Sequence, residues 1–169
     1  MINIAVTNLG KYNEGELVFE WLRLPATEDE IEEVLEAIGI NEYYEEFFIS
    51  DYETDLAFID ICEYTNIYRL NELAEKLENL SWIEIGQIGG IIESTGCDFD
   101  EAWEIFEEKR FDFVRCDIST DEELGGVMVD EGLFDVPEHL QNFMDYGAIG
   151  RLFSCSGWTI VSDGAIYVY

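Results

Sequence analysis

No lysine or arginine occurs between Arg23 and Arg69, and this gap strongly constrains how the first half of the chain can fold. Residues 27–55, TEDEIEEVLEAIGINEYYEEFFISDYETD, carry twelve carboxylates and no cation. Exposed helix faces normally mix acidic and basic side chains that pair at i, i+4. Such pairs are impossible within this segment, so its secondary structure must depend on helix capping and apolar burial.

The composition is nevertheless that of a chain that folds. Hydrophobic residues make up 48% and aromatic residues 14% of the 169 residues, which excludes the low hydrophobicity of intrinsic disorder. The length accommodates one large domain or a few small ones. The formal net charge is -31, from 39 acidic and 8 basic residues. A field of this sign repels nucleic acid and anionic membranes and attracts basic surfaces.

The N-terminal part predicts strands around one helix. INIAV and ELVFEWLRL are rich in apolar and β-branched residues and flank the turn-like TNLGKYNEG, which indicates two strands. Thr27 followed by Glu30 is a capping box that opens a helix, and Gly39 is its expected stop. YYEEFFISDY then indicates a third strand. The helix should bury one stripe, formed by Ile31, Val34, Leu35 and Ile38.

The middle of the chain predicts three helices. Asn66 can cap the first, Ser81 with Glu84 makes a capping box for the second, and Asp98 starts the third. Apolar residues at helical spacing support each helix: Leu70, Leu73, Leu77 and Leu80; Trp82, Ile85, Ile88 and Ile92; Phe99, Ala102, Trp103 and Phe106.

The C-terminal part again mixes strands with helices. FDFVRCDI indicates a strand, and Thr120 with Glu123 caps a helix that ends near Gly132. Pro137 occupies a first helical position for PEHLQNFMDY. WTIV and AIYVY, separated by SDG, predict a closing hairpin.

This order of elements predicts an α+β fold made of three small domains. The first, at residues 1–64, is α+β; the second, at 65–109, is all-helical; the third, at 110–169, is again α+β. The sequence contains no internal repeat and no low-complexity linker.

The sequence contains no recognised catalytic or metal-binding motif. His139 is the single histidine, has no cysteine at ligand spacing, and is expected to be solvated or to cap a helix. DFDEAWEIFEEK begins like a calcium loop at Asp98, but Trp103 replaces the required glycine and Lys109 the final glutamate, which excludes an EF-hand. We therefore expect a protein that is not an enzyme and that uses no cofactor or metal.

The cysteines and the N-terminus indicate the compartment. Cys62, Cys97, Cys116 and Cys155 form no CxxC pair, so buried free thiols in a reducing compartment are expected. MINIAVTNLG lacks the basic region and the long apolar run of a signal peptide, and no stretch is long enough to span a membrane. These features predict a cytoplasmic protein.

The first predicted helix carries repulsion that ordinary surfaces avoid. Glu28, Glu32 and Glu36 stack at i, i+4, as do Asp29 and Glu33. Each like-charge pair destabilises a helix by roughly 0.2–0.5 kcal/mol. The residues leave three explanations open: a high-salt protein, an inhibitor or chaperone of a basic protein, and a mimic of DNA. Composition alone ranks generic binding of a basic partner above mimicry.

Charge arithmetic is compatible with mimicry. B-DNA carries one charge per roughly 1.7 Å, so a net charge of -31 corresponds to roughly 53 Å of duplex, or about 15 base pairs. A dimer would correspond to about 30 base pairs. A mimic would also displace counterions from a basic groove, as DNA does.

Four segments resemble the ArdA-type antirestriction proteins. NLGKYNEGELVFEWLRLP, at residues 8–25, resembles the start of that family, and YEEFFISDYE, at 44–53, resembles its second acidic block. VPEHLQNFMDYGAIGR, at 136–151, and the final hairpin resemble its C-terminal region. Residues 80–110 match only in being helical and acidic. The resemblance therefore covers both ends of the chain in the family's order.

The resemblance implies a DNA mimic carried on mobile genetic elements. Such a protein binds the DNA-binding groove of type I restriction-modification enzymes, at their methyltransferase core, and blocks restriction and often modification. It binds neither nucleic acid nor membranes itself. The family fold is elongated, with three small domains, and forms a homodimer through the C-terminal domain. Ile149 before GR and Leu152-Phe153 after it depart from the usual family pattern.

On this hypothesis, carboxylates on one face stand in for phosphates. Apolar positions expected in the core include Ile31, Leu35, Leu73 and Trp103. Residues interpreted as turn formers are Asn8, Gly10, Gly15 and Gly39. The candidate phosphate mimics are Glu28, Asp29, Glu32, Glu33, Glu36, Glu42, Glu45, Glu46, Asp51, Glu53, Asp55, Asp100, Glu101, Glu104, Glu107 and Glu108.

Overall fold

The computed structural model describes residues 1–169 and has an α+β fold. It contains seven α-helices, one 3₁₀ helix and six strands, and the strands form two three-stranded antiparallel sheets. The chain divides into two compact units, Met1–Ser81 and Trp82–Tyr169. The predicted α+β class is confirmed, whereas the division into three domains stays a prediction.

The first unit combines one sheet with three helices. Its elements are β1 (Ile2–Asn8), α1 (Leu9–Asn13), β2 (Phe19–Leu24), α2 (Glu28–Ala37), β3 (Phe47–Thr54) and α3 (Ile67–Glu78). The strand order is β2-β1-β3, so β1 is central and antiparallel to both neighbours. The three strands predicted in this region are confirmed.

One face of this sheet, which we term the inner face, holds the core of the first unit. Asn8 lies on the inner face, because it continues the alternation of Ile4 and Val6 along β1. Its Nδ2 donates a hydrogen bond of 3.1 Å to the carbonyl of Ile38, the residue directly after α2. The acidic helix therefore packs on the inner face. The strand residues of this face are at most 4% exposed: Ile2, Ile4, Val6, Leu22 and Leu24.

A β-bulge at Ser50 interrupts the pairing of β3 with β1. Val6 pairs with Ile49, whereas the preceding Ala5 pairs with Asp51, so Ser50 is an extra residue on β3. An extra residue reverses which side chains point to each face of the sheet, because successive side chains alternate. The bulge therefore decides where the carboxylates of β3 lie.

The second unit contains the remaining eight elements. They are α4 (Trp82–Thr95), α5 (Phe99–Glu107), β4 (Phe111–Arg115), α6 (Asp121–Asp130), the 3₁₀ helix (Glu138–Phe143), α7 (Tyr146–Cys155), β5 (Thr159–Val161) and β6 (Gly164–Val168). The strand order is β4-β6-β5. Leu124 and Met128 of α6, Trp158 directly before β5 and Ala165 of β6 form a core cluster, and Phe153 of α7 packs against it.

The predicted closing hairpin is confirmed, and α4 holds its turn. Val161 pairs with Gly164 across the turn formed by Ser162 and Asp163. Glu93 of α4 accepts hydrogen bonds from the Ser162 backbone N–H at 2.9 Å and from its hydroxyl at 3.0 Å. The turn is thus fastened to a helix whose residues lie far from it in sequence.

Most predicted helix starts are confirmed, because capping is a local signal. The Thr27–Glu30 and Thr120–Glu123 capping boxes both form. Helix α4 begins directly after Ser81. Two other predicted N-caps also form, Asn66 and Asp98. The predicted stops of α2 and α6 have the positive φ that favours glycine, at Gly39 and Gly132.

Two predicted features near turns are wrong. Pro137 caps the 3₁₀ helix and does not open an α-helix. The α-helix of this region, α7, begins only at Tyr146, where the Asp145 side chain accepts a hydrogen bond from Ala148 N. The segment TNLGKYNEG is more than a turn, because α1 forms within it and is capped by Asn8.

Burial also differs from prediction at several positions. Of the stripe predicted on α2, Ile31 and Ile38 are buried, whereas Val34 and Leu35 are half-buried. Leu73 and Trp103, also expected in the core, are half-buried. The cysteines are free, as predicted, but none is buried: two are exposed and two are half-buried. None of the helices has both the length and the apolar character needed to cross a membrane.

Candidate partner-binding surface

All sixteen carboxylates predicted to mimic phosphates are exposed. In the first unit they lie on α2, on the loop at residues 41–46, on β3 and directly after it. In the second unit they lie on α5 and at its C-cap. Exposure is required for the predicted role but does not test it, so that role stays a prediction.

Helix α2 carries five of these carboxylates within nine residues. Ile31 and Ile38 are buried on the opposite side of the helix, so the acidic side chains face solvent. At 1.5 Å per residue, residues 28–36 span about 12 Å, which places one carboxylate about every 3 Å along the axis. The five are Glu28, Asp29, Glu32, Glu33 and Glu36.

The C-terminal end of α2 takes its counter-charge from another element. Glu36 lies in a last turn that has no basic residue, where the helix dipole disfavours an anion. Lys11 of α1 reaches this end, because its Nζ lies 2.6 Å from the position that a Cβ on Gly39 would occupy. Lys11 therefore offsets the negative charge at this end of the helix, and no cation lies on the exposed face of α2.

The N-terminal end of α2 is fixed by Asn71 of α3. Asn71 Oδ1 accepts a hydrogen bond of 2.7 Å from Ala26 N, and its Nδ2 donates one of 3.0 Å to Ala26 O. Both bonds are buried, and Ala26 directly precedes the N-cap Thr27. The amide of Asn71 thus holds the residue that directly precedes the acidic helix.

Two glutamates differ from the surface carboxylates because they are used inside capping boxes. Glu30 accepts hydrogen bonds from the backbone N–H and the hydroxyl of Thr27, which lower the pKa of Glu30 below its ordinary value of 4.5. The backbone N–H of Ser119, followed by the Thr120 hydroxyl, lowers the pKa of Glu123 in the same way. These two groups serve the fold.

The bulge in β3 turns two carboxylates toward the face opposite the core, which we term the outer face. Asp51 lies opposite Ala5 and Glu53 opposite Asn3, and Asn3 Nδ2 donates to Glu53 at 3.5 Å. If Ser50 paired regularly with Ala5, Asp51 would lie opposite Ile4 and Glu53 opposite Ile2, both on the inner face. The bulge therefore makes Asp51 and Glu53 available to a partner.

The loop between α2 and β3 is folded by Asn41. Its Oδ1 accepts hydrogen bonds from the backbone N–H of Tyr43 at 2.8 Å and of Tyr44 at 3.1 Å. Tyr44 in turn donates its hydroxyl to Glu14 at 2.8 Å, a bond that raises the pKa of Tyr44. This ordered loop carries three of the exposed candidates, Glu42, Glu45 and Glu46.

Helix α5 repeats the charge density of α2. Asp98 caps it by accepting a hydrogen bond of 3.0 Å from Glu101 N, and Phe106 is buried on its inner side. Glu108 forms an ion pair with Arg110. The five exposed carboxylates, again within nine residues, are Asp100, Glu101, Glu104, Glu107 and Glu108.

Sequence reasoning missed the aromatic residues beside the β3 carboxylates. Phe19 and Trp21 of β2 pair with Thr7 and Ala5, which places them on the outer face of the sheet. Both side chains are exposed. The alternation in FEWLRL, where every second residue from Leu22 is buried, is the signal that identifies them.

The arrangement offers fixed negative charge to a partner. No group of three or more His, Cys, Asp or Glu side chains is placed to hold a metal ion. His139 is exposed on the 3₁₀ helix. The lowered pKa values of Glu30 and Glu123 arise from hydrogen bonds at the starts of their helices.

The fold and this surface are those of an acidic α+β protein that displays its charge on exposed helices. The sequence model of the family described as "Antirestriction protein (ArdA)" matches residues 4–167. The chain therefore belongs to the ArdA antirestriction protein family. No curated protein matches it significantly.

Family membership confirms the resemblance seen at both ends of the chain. The match includes residues 80–110, where the resemblance was confined to helical and acidic character. Membership implies an antirestriction function directed at restriction-modification enzymes, in an inhibitor rather than an enzyme.

Proposed function

We propose that the chain is a DNA mimic that occupies the DNA-binding groove of type I restriction-modification enzymes, at their methyltransferase core. It inhibits restriction competitively, and modification by the same enzymes, without catalysing a reaction. The observation that carries the proposal is the display of exposed carboxylates on α2 and α5 at nearly the linear density of a DNA strand.

The density comparison applies to each helix separately. Each presents five carboxylates in nine residues, about one per 3 Å of helix axis. One strand of B-DNA presents a phosphate about every 3.4 Å along the axis. Phosphate contacts in DNA complexes depend on charge and position and carry no direct base information. A carboxylate row of the same spacing can therefore engage the cations that hold a DNA backbone.

The repulsion within α2 supports the same proposal. Glu28, Glu32 and Glu36 are exposed neighbours at i, i+4, a spacing at which like charges destabilise a helix. Cations of a partner groove, placed between these carboxylates, would remove that repulsion on binding. A surface that is unfavourable in the free protein is then favourable in the complex.

We further propose that two copies associate through residues 110–169, the third of the three domains predicted from the sequence. The net charge of two copies corresponds to about 30 base pairs of duplex. This inhibition takes place in the cytoplasm, where a restriction enzyme meets incoming DNA, and the protein contacts neither nucleic acid nor membranes.

Competition with DNA tests the proposal. A fluorescent duplex of about 30 base pairs is bound to a purified type I methyltransferase core and titrated with the protein. We expect complete displacement, with a midpoint that rises in proportion to the duplex concentration. A ternary complex of enzyme, duplex and protein would contradict competition. Failure to bind several such enzymes would favour an inhibitor or chaperone of another basic protein.

A matched pair of variants separates the acidic face of α2 from net charge alone. The first variant neutralises its five carboxylates by Glu→Gln and Asp→Asn. The control neutralises five exposed carboxylates of the first unit that are not candidates: Glu16, Asp60, Glu63, Glu72 and Glu78. Both variants change the net charge equally, and we expect the first to displace DNA less well than the control.

A further inference from the structure

The outer face of the first sheet combines aromatic and charged side chains in a regular array. Pairing across the three strands gives three rows, each with one residue from β2, β1 and β3. The rows are Phe19–Thr7–Phe48, Trp21–Ala5–Asp51 and Arg23–Asn3–Glu53. The face is therefore aromatic at one end and charged at the other.

At the aromatic end, the side chains of β2 are exposed, whereas those of the central strand β1 are buried. Ala5 and Thr7 are at most 2% exposed, whereas Phe19 is 42% and Trp21 is 40% exposed. Phe48 is buried and packs edge-on against Tyr12 of α1, with ring centroids 5.3 Å apart. The aromatic surface open to a partner is thus on β2, at Phe19 and Trp21.

The middle row places an indole and a carboxylate on either side of a small residue. Trp21 and Asp51 flank Ala5, so their backbones lie about 10 Å apart, twice the strand spacing. Arg23, the cation of this face, lies in the neighbouring row with Glu53. A partner that lies on the outer face can therefore contact Asp51 and Trp21 together.

We propose that Trp21 is an anchor of the partner-binding surface and stacks an arginine of the cationic partner, whose guanidinium pairs with Asp51. The identity of that partner rests on the proposed function. Arginine fits this row because its planar guanidinium binds carboxylates through a fixed fork and also stacks on aromatic rings. Tryptophan is the strongest aromatic acceptor of a cation, and lysine lacks the planar group.

The anchor adds a contribution that salt screens weakly. Exposed carboxylates attract a cationic groove over a distance, and this attraction falls as the ionic strength rises. Binding energy in interfaces concentrates at desolvated aromatic and arginine contacts. Trp21 therefore supplies affinity that persists at salt concentrations where the contribution of the carboxylates has fallen.

Trp21→Ala tests the proposal, with Trp82→Ala as the matched control. Trp82 is 66% exposed at the start of α4, so Trp82→Ala removes the same type of exposed side chain from a different part of the protein. The probes are a purified type I methyltransferase core and two peptides of equal charge, one rich in arginine and one rich in lysine. Trp21→Ala should weaken core binding about tenfold at both low and high salt, and Trp82→Ala should not. Trp21→Tyr should retain most of the affinity, and circular dichroism checks that each variant folds.

The peptides keep failure of this inference distinct from failure of the proposed function. The wild type should prefer the arginine peptide, and Trp21→Ala should remove that preference. An unchanged preference, or core binding equal in the two tryptophan variants, would overturn the role of Trp21. If the core does not bind the wild type while the arginine preference depends on Trp21, the proposed function fails and the inference stands.

Discussion

Gly125 of α6 and Gly150 of α7 bring the backbones of two helices into direct contact. A Cβ on Gly125 would lie 2.8 Å from Gly150 N and would overlap the carbonyl of Tyr146. A Cβ on Gly150 would overlap the carbonyl of Asp121. Both glycines are buried. The packing of these helices therefore requires the absence of a side chain at both positions.

Alanine substitutions at two adjacent glycines of α6 should have opposite effects on stability. Gly125→Ala forces the helices apart and should destabilise the protein by about 2 kcal/mol or more. Gly126→Ala meets open space and should stabilise it by roughly 0.5–1 kcal/mol, because alanine is the better helix former. Urea unfolding followed by circular dichroism measures both. Equal effects of the two substitutions would show that the close approach does not exist in solution.

Removing the amide of Asn71 should loosen the acidic helix. Asn71→Ala leaves the backbone N–H and C=O of Ala26 without their buried partner, and should cost about 2–4 kcal/mol of stability. Glu75→Ala is the control, because it removes one further hydrogen bond of Asn71 without touching Ala26. Hydrogen exchange should show faster exchange at the start of α2 in the first variant only. Unchanged exchange there would contradict the role of Asn71.

Replacing Glu32 should stabilise the protein and weaken partner binding. Glu32 has acidic neighbours at i−4 and i+4, Glu28 and Glu36. Glu32→Gln removes two repulsive pairs, and Glu32→Lys replaces them with attractive ones, so stability should rise stepwise by about 1 kcal/mol in total. Thermal unfolding and enzyme binding are measured on the same samples. A gain in stability together with unchanged or tighter binding would argue against a selected acidic face.

The capping glutamate Glu30 should make a pH-dependent contribution to stability. Its folded-state pKa lies below the ordinary 4.5, because the Thr27 backbone N–H and hydroxyl bond to the ionised form. A lowered pKa stabilises the fold above the unfolded-state value, and this stabilisation is lost as the pH falls through the folded-state value.

Glu30→Gln should therefore destabilise the protein at neutral pH by an amount that shrinks as the pH falls below about 4.5. Urea unfolding at a series of pH values measures this difference. Glu33→Gln, on the exposed side of α2, controls for the loss of one negative charge. A difference between wild type and Glu30→Gln that does not change with pH would contradict the capping role of the ionised carboxylate.

The parts of the fold that could be predicted are those governed by nearby residues. Thr27 with Glu30 and Thr120 with Glu123 mark helix starts within a single turn, so the sequence identifies them without knowledge of packing. Helix α7 was missed because Pro137 is a strong helix-start signal in a segment that becomes a 3₁₀ helix.

The candidate surface was predictable in charge but not in geometry. The bulge at Ser50 depends on pairing with β1, more than forty residues earlier in the chain, and no local pattern in β3 identifies it. That pairing alone places Asp51 on the same face as Trp21. The close approach of Gly125 and Gly150 is also set by tertiary packing. No local sequence pattern identifies these two glycines as a contact between helices.

The salt dependence of binding to a type I methyltransferase core tests the central claim most directly. A distributed mimic should bind with an affinity that falls steeply between about 50 and 300 mM salt. Single Glu→Gln changes on α2 should each reduce the affinity slightly, whereas neutralising all five of its carboxylates should flatten the salt dependence clearly. The account would be contradicted by one substitution that abolishes binding without unfolding the protein. It would also be contradicted if neutralising all five carboxylates left the salt dependence of the affinity unchanged.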